Sequence, residues 1–348
     1  MVVHKQRLTL VELARLAGVS RSTASVAINR RRDIVLAEST RRKVLALAEK
    51  HGYQPNLNAR NLRAGRSGLI GYVMSDYYLS RGETFMQKFM GIETALRETQ
   101  YHAVMIGTHE SRQGNGRWII REALSEYHFD GVITDLRPIH ASAVMELKTM
   151  FPMHMMIEPC LDAVSNKISV DFMQGAMDAV NHLIQKGHVR IGCISGSAGG
   201  KEARLEGYRR ALAAARIRYD AGLVACGNFD FQQSGRAALR IIRRANRPTA
   251  IFAISDFMAL AAMRAIRREG LRVPEDISVI GFDDIEAAAL SDPLLTTMHV
   301  DNYGIGQAAG KMFLDIQRRN QGSIQPVVFK PVLKVRESVM QPRKEQNG

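Results

Sequence analysis

The stretch from Thr9 to Asn29 constrains this chain more than any other. Thr9, followed three residues later by Glu12, is the signature of a capping box at the start of a helix. Gly18 suits a tight turn, and Ser20 suits the N-cap of a second helix. Two short helices joined by a Gly-containing turn make a helix-turn-helix, whose second helix enters the DNA major groove. Leu13, Ala14 and Ala17 on the first helix, and Ala24, Ala27 and Ile28 on the second, follow helical spacing and predict two buried faces. Arg21, Ser22, Ser25, Val26 and Asn29 then point outward. An outward Val26 suits a thymine methyl.

Charge supports the same reading. Residues 1–68 hold 14 of the 48 Lys and Arg but 4 of the 34 Asp and Glu, so most of the net +14 sits at one end. A basic head on a near-neutral body implies a local anionic partner, and nucleic acid fits better than a membrane surface. Residues 1–7 contain no apolar core of a secretory signal, and no run reaches the roughly 18 apolar residues of a spanning helix. The expected location is the cytoplasm, on the nucleoid, with no membrane association. Cys160, Cys193 and Cys226 lie far apart and predict free thiols, and the 10 histidines show no metal-ligand spacing. No metal and no cofactor is expected.

A third helix is predicted over about 38–51, with Val44, Leu45, Leu47 and Ala48 inward. The basic run Arg30–Arg32 beside the second helix suits phosphate contact. Residues 55–68 carry a short helical pattern with a ridge of Ala59 and Leu62. It is too short to be stable alone, which suits a segment that folds on DNA or on a second copy. A leucine wedged into a minor-groove step is one such use.

From residue 69 short apolar runs alternate with amphipathic helices. Strands are expected at 69–74, 102–107, 131–134 and 153–157, with helices at 84–99, 114–126 and 141–149. A second set follows: helices at 173–186, 201–215, 232–245 and 257–269, and strands at 189–195, 222–226, 249–254 and 277–281. The pattern predicts an α/β body of two doubly wound parallel-sheet halves. Ligands of such sheets bind beyond the strand carboxyl ends. Those ends hold Asp76, Asp135, Ser195–Gly200, Phe229, Asp230, Asp256 and Asp283, groups that suit a small polyhydroxylated ligand. The turn Gly196–Gly200 fits neither a dinucleotide fingerprint nor a nucleophile elbow, and no phosphate-loop Lys-Ser/Thr pair occurs, so no enzymatic activity is expected.

Residues 4–68 resemble the headpiece of the lactose-repressor/galactose-repressor family of bacterial transcription regulators. The resemblance rests on 13–20, 22–25, Asn29, 40–44, 52–56 and 59–63. It continues through Gly91–Glu93, Phe129–Ile133, Gly187–Ile191, Arg204–Arg209, Pro248–Phe252, Asp256–Leu260, Val273–Asp284, Leu295–Thr297 and Val335–Ser338. It implies an all-α helix-turn-helix headpiece on a type I periplasmic-binding-protein-like body. It implies base contacts from Arg21, Ser22 and Val26, and phosphate contacts from Thr9, Ser20, Thr23, Ser25 and Asn29. Leu10, Asn56 and Ala59 complete the DNA-facing set, and Leu62 is the hinge wedge. It also implies an effector cleft lined by Asp76, Phe85, Ser197, Arg204, Phe229, Asp256 and Asp283.

The implied boundaries are 1–55 for the headpiece, 56–68 for the hinge helix and linker, and 69–340 for the body. The body's amino-terminal subdomain takes about 69–168 and 299–330, and its carboxy-terminal subdomain 169–298 and 331–340. Residues 341–348 are a disordered tail. The implied protein is a ligand-responsive regulator, a repressor, that binds a pseudo-palindromic operator as a homodimer and answers to a sugar-like effector. Four features depart from the family pattern, one of them a loop 30–37 about two residues longer than usual. Val26 stands where many members carry a polar or long side chain. Ala37 replaces a Ser cap, leaving Ser39 as the candidate cap of helix three. The loop Ser197–Lys201 lacks the serine-rich form of some members.

Overall fold

The computed structural model describes residues 8–29, 34–53, 66–75, 82–108, 128–136, 141–151, 154–157, 166–196, 202–319 and 325–343. The chain divides into two compact units, Met1–Ser67 and Gly68–Gly348. The expected helix at 114–126, the run Arg30–Arg32, Cys160 and residues 344–348 lie outside the described residues.

The first unit holds α1 (Leu10–Ala17), α2 (Arg21–Ile28) and α3 (Glu38–Lys50). The capping box at Thr9 is formed: Glu12 N donates to Thr9 Oγ1 at 3.3 Å, and Thr9 N donates to Glu12 Oε2 at 2.7 Å. Gly18 adopts φ 66°, a left-handed conformation that Gly reaches without a Cβ clash. Leu13, Ala24, Ala27 and Val44 are fully buried, and the small alanines bring the helices close. Helix α3 starts without a side-chain cap. Ala37 occupies the N-cap, and Ser39 is the second helical residue, so the expectation that Ser39 caps this helix is corrected.

The second unit has two lobes. Its amino-terminal lobe carries a six-stranded parallel sheet of β1 (Leu69–Ser75), β2 (His102–Thr108), β3 (Gly131–Asp135), β4 (His154–Ile157), β5 (Lys167–Val170) and β11 (Val327–Phe329). The strand order is β11-β5-β4-β3-β1-β2. Side chains alternate across it: Ile70, Tyr72 and Met74 join the main core, while Val73 joins a second cluster with Val132, Leu147 and Phe151. Helices α4 (Gly82–Leu96), α5 (Ala141–Met150) and α11 (Asn302–Arg319) belong to this lobe.

The carboxy-terminal lobe has a parallel sheet of β6 (Ile191–Ser195), β7 (Val224–Cys226), β8 (Ala250–Ala253) and β9 (Ser278–Ile280), in the order β7-β6-β8-β9. Its helices are α6 (Phe172–Gln185), α7 (Ala203–Ala214), α8 (Phe231–Ile242), α9 (Asp256–Arg268) and α10 (Glu286–Leu290). The antiparallel pair β10 (Thr297–His299) and β12 (Val332–Lys334) lies where the chain passes between lobes. The chain crosses between β5 and α6, again after β10, and again between β11 and β12. It finishes on the carboxy-terminal lobe, where Val279 N donates to Ser338 O at 2.8 Å.

Candidate DNA-facing helix and effector cleft

On the headpiece, Ser20 Oγ accepts from Thr23 N at 3.1 Å and lies 2.7 Å from Ser22 Oγ and 2.8 Å from Thr23 Oγ1. Three hydroxyls therefore gather at the positive end of α2, beside exposed Arg21. Asn29 is exposed and its Nδ2 donates to Ser25 O at 2.8 Å, closing the helix at its other end. Val26 is half-buried on the same helix. Leu10, the first residue of α1, is half-buried and packs against the headpiece core. Asn56, Ala59 and Leu62 lie outside the described residues.

The cleft between the lobes of the body is lined by Thr84, Phe85, Lys88, Asp135, Phe172, Arg204, Phe229, Asp283, Val300 and Asn302. Four expected residues, Phe85, Arg204, Phe229 and Asp283, come together there. The space among these residues is small, ≈ 70 Å³.

Each wall carries an ion pair. On the amino-terminal wall Lys88 Nζ lies 2.9 Å from Asp135 Oδ2, which also accepts from Tyr72 Oη at 2.9 Å. Both charged side chains are almost fully buried. On the carboxy-terminal wall Arg204 Nη2 lies 3.5 Å from Asp283 Oδ1. The Arg204 guanidinium stacks 4.0 Å from the Phe172 ring centroid and 4.7 Å from that of Phe282. Its Nε is buried with no hydrogen-bond partner among the described residues.

Two strained turns present these groups. Asn228 and Phe229 have φ of 50° and 53°, and Asp283 and Asp284 have φ of 113° and 59°, all left-handed positions that cost non-Gly residues energy. The second turn is anchored. Asp284 accepts from Arg336 Nη2 at 2.6 Å and lies 3.0 Å from His299 Nδ1, while Asp283 N donates to Met298 O at 2.9 Å. The cleft-facing carboxylate of Asp283 is thereby fastened to the segment around β10 and β12 that links the lobes.

Asp256 requires correction. It does not line the cleft but is wholly buried, accepting from Thr297 Oγ1 and, at 3.0 Å, from Ile285 N. Burial, and then the nearby charge of Asp283, push its carboxyl well above the ordinary range. It fastens the start of α9 to β10. Asp230, another strand-end carboxylate, caps α8 by accepting from Gln233 N at 2.7 Å. Asp76 and Ser197 lie outside the described residues.

Sequence reasoning does not find Lys88, Thr84, Phe172, Val300 or Asn302. A signal for Lys88 is present: it follows Phe85 by three residues on the apolar stripe of α4 that includes Phe89, Ile92 and Leu96, where a solvated lysine does not belong. Among the described residues no His/Cys/Asp/Glu group has a metal-binding arrangement, and no helix is long and apolar enough to cross a membrane.

A helix-turn-helix unit joined to a two-lobed ligand-binding body defines a class, the ligand-responsive DNA-binding regulators. Comparison with known proteins narrows it. Residues 9–56 match the pattern of bacterial regulatory proteins of the lacI family, and residues 180–339 match the periplasmic binding protein-like domain. The HTH-type transcriptional repressor PurR of Photobacterium profundum is 31% identical over 335 residues, 95% of this chain and 98% of that protein. Among solved structures, the lac repressor dimer bound to operator and the anti-inducer ONPF superposes with a TM-score of 0.81 at 26% identity, covering 96% of this chain and all of that one. A complex of the transcriptional regulator CelR with cellobiose gives a TM-score of 0.69 at 30% identity over the same share of this chain. The chain belongs to the lacI family of bacterial regulatory proteins. It is a DNA-binding transcriptional regulator, and its relatives are repressors, not enzymes.

Proposed function

We propose that this regulator represses transcription as a homodimer on a pseudo-palindromic operator, and that a neutral, polyhydroxylated, sugar-like molecule bound between the lobes controls it. The observation that carries the ligand class is the pair of ion pairs on facing walls. Among the described residues each cation already has a carboxylate partner, so the described lining is charge-matched and Asp76 would only add negative charge. An anionic ligand would leave excess negative charge in a poorly solvated place. A hydroxyl fits better, because it donates to a carboxylate and accepts from the neighbouring cation. The Phe85 and Phe229 rings offer apolar surface to the faces of a sugar ring, and the buried Arg204 Nε–H is available to a ligand oxygen. The cellobiose-bound relative supports the same class.

In this reading Arg21, Ser22 and Val26 read bases, and Thr9, Ser20, Thr23, Ser25 and Asn29 meet phosphates. Asn56, Ala59 and the Leu62 wedge form the hinge element, and Asp76 and Ser197 add to the cleft. The effector changes the angle between lobes and so the fitness of two paired headpieces for their half-sites. The protein works in the cytoplasm, on the nucleoid.

The test is a thermal-shift screen of the full chain with neutral mono- and disaccharides, sugar phosphates, sugar acids and nucleobases. Stabilisation by neutral sugars, growing with concentration as ligand linkage requires, is the expected result. Stabilisation confined to phosphates, acids or planar heterocycles contradicts it.

A further inference from the structure

The lobes also meet through a polar contact at the rim of the cleft, at a residue with no role above. Glu83, the second residue of α4 in the amino-terminal lobe, accepts from Glu286 N of the carboxy-terminal lobe at 2.8 Å. The same carboxylate oxygen accepts from Gln87 Nε2, one helical turn along, at 3.1 Å, which fixes its direction. Glu286 opens α10, whose N-cap residue Ile285 makes no side-chain capping bond. An apolar N-cap leaves the first amides of a helix without an acceptor. Here an acceptor comes from the opposite lobe. Glu83 also borders a void of ≈ 150 Å³ together with Ser255, Phe257 and Ile285. Thr84 and Asp283 line both this void and the effector cleft, so the contact sits directly beside the ligand site.

A hydrogen bond of this kind fails once donor and acceptor separate beyond about 3.5 Å. The Glu83–Glu286 bond therefore exists only while the lobes are closed at this rim. We propose that Glu83, oriented by Gln87, is a positioning residue that latches the two lobes together across the cleft by capping α10 from the opposite side. Lobe opening must break this bond, and any ligand that changes the lobe angle works against it or with it. The inference rests on the reading that the lobes move, but not on the identity of the ligand.

The test uses the full chain without added ligand. Two measurements are made on wild type, Glu83→Ala, Glu83→Gln and Gln87→Ala. One is amide hydrogen exchange at Glu286. The other is the distance distribution between spin labels on keto-bearing non-canonical residues at exposed Lys148 and Arg240, one on each lobe. In Glu83→Ala the Glu286 amide exchanges at least tenfold faster and the inter-lobe distance lengthens. Glu83→Gln, whose carbonyl still accepts from Glu286 N, stays close to wild type in both. Gln87→Ala shifts both in the direction of Glu83→Ala by a smaller amount, and it keeps the test open should Glu83→Ala fold poorly. Unchanged exchange in Glu83→Ala overturns the proposal. Faster exchange at an unchanged distance overturns it too, since Glu83 would then cap a helix without holding lobes. Equal effects of the Ala and Gln substitutions at Glu83 also overturn it. Because no sugar is present, failure here leaves the ligand-class test separate.

Discussion

Arg204 acts through two kinds of contact at once. Its guanidinium face is held by Phe172 and Phe282, and its edge points toward Asp283 and the cleft. Two aromatic faces fix its plane, so little rotamer freedom is lost when a ligand oxygen arrives. Arg204→Ala removes the donors and is expected to weaken binding of the sugar found in the screen by about 10- to 100-fold, the equivalent of roughly 1.5–3 kcal/mol for bonds to a charged group. Titration calorimetry checks this, and unchanged affinity removes Arg204 from the site. Asp256 lies near the same cleft and has a different role. Its folded-state carboxyl titrates above the reference value of 3.8. The stabilisation linked to its proton is thus complete below about pH 4 and is lost as pH rises through the folded value. Asp256→Asn keeps the shape, accepts from Ile285 N and donates to Thr297 Oγ1. The substitution is expected to flatten the stability-against-pH curve above pH 4 and to leave the neutral-pH Tm at or above wild type. Thermal unfolding from pH 4 to pH 8 checks it, and a clear fall in Tm at neutral pH contradicts it.

At the scale of elements, the helix-turn-helix and most strands and helices between residues 69 and 281 are legible because each has a strong local period or a capping pattern. What is not legible depends on partners distant in sequence. Helix α11 escapes a reading of the sequence because Gly304, Gly306 and Gly310 weaken its helical pattern. Two of those glycines have a tertiary reason: a Cβ on Gly306 would overlap the Lys88 backbone, and one on Gly310 would press on Ala95 Cβ. The same contact explains why α4 and α11 lie so close, and α4 carries Thr84, Phe85 and Lys88 to the cleft. Gly306→Ala should therefore push α4 away. It is expected to cost about 1–3 kcal/mol, as overpacking does, and to weaken the sugar affinity as well. Denaturant unfolding together with calorimetry checks this. An unchanged affinity would detach the cleft wall from this helix pair. The three-residue strands β10 and β12 are equally hidden, since no periodicity can be read from three residues. Lys88 escapes notice because a lysine in a helix reads as solvated until its carboxylate partner, Asp135, is brought beside it by the fold.

For the whole molecule, the basic head and the near-neutral body divide the work. In the proposed reading the head supplies charge for the operator phosphates and hydroxyls and Arg21 for its grooves. The body supplies an inter-lobe cleft whose Asp283 is tied, through Asp284, His299 and Arg336, to the segments that join the lobes. In the proposed mechanism these two sites share one conformational equilibrium. If they do, linkage makes the coupling reciprocal: the effector changes operator affinity by the same factor by which the operator changes effector affinity. The direct measurement is a sugar titration of the full chain with and without a saturating operator duplex, paired with an operator titration with and without saturating sugar. Two equal factors in the range of roughly 5 to 150 are expected. A sugar affinity unaffected by the operator, alongside an operator affinity unaffected by the sugar, contradicts it.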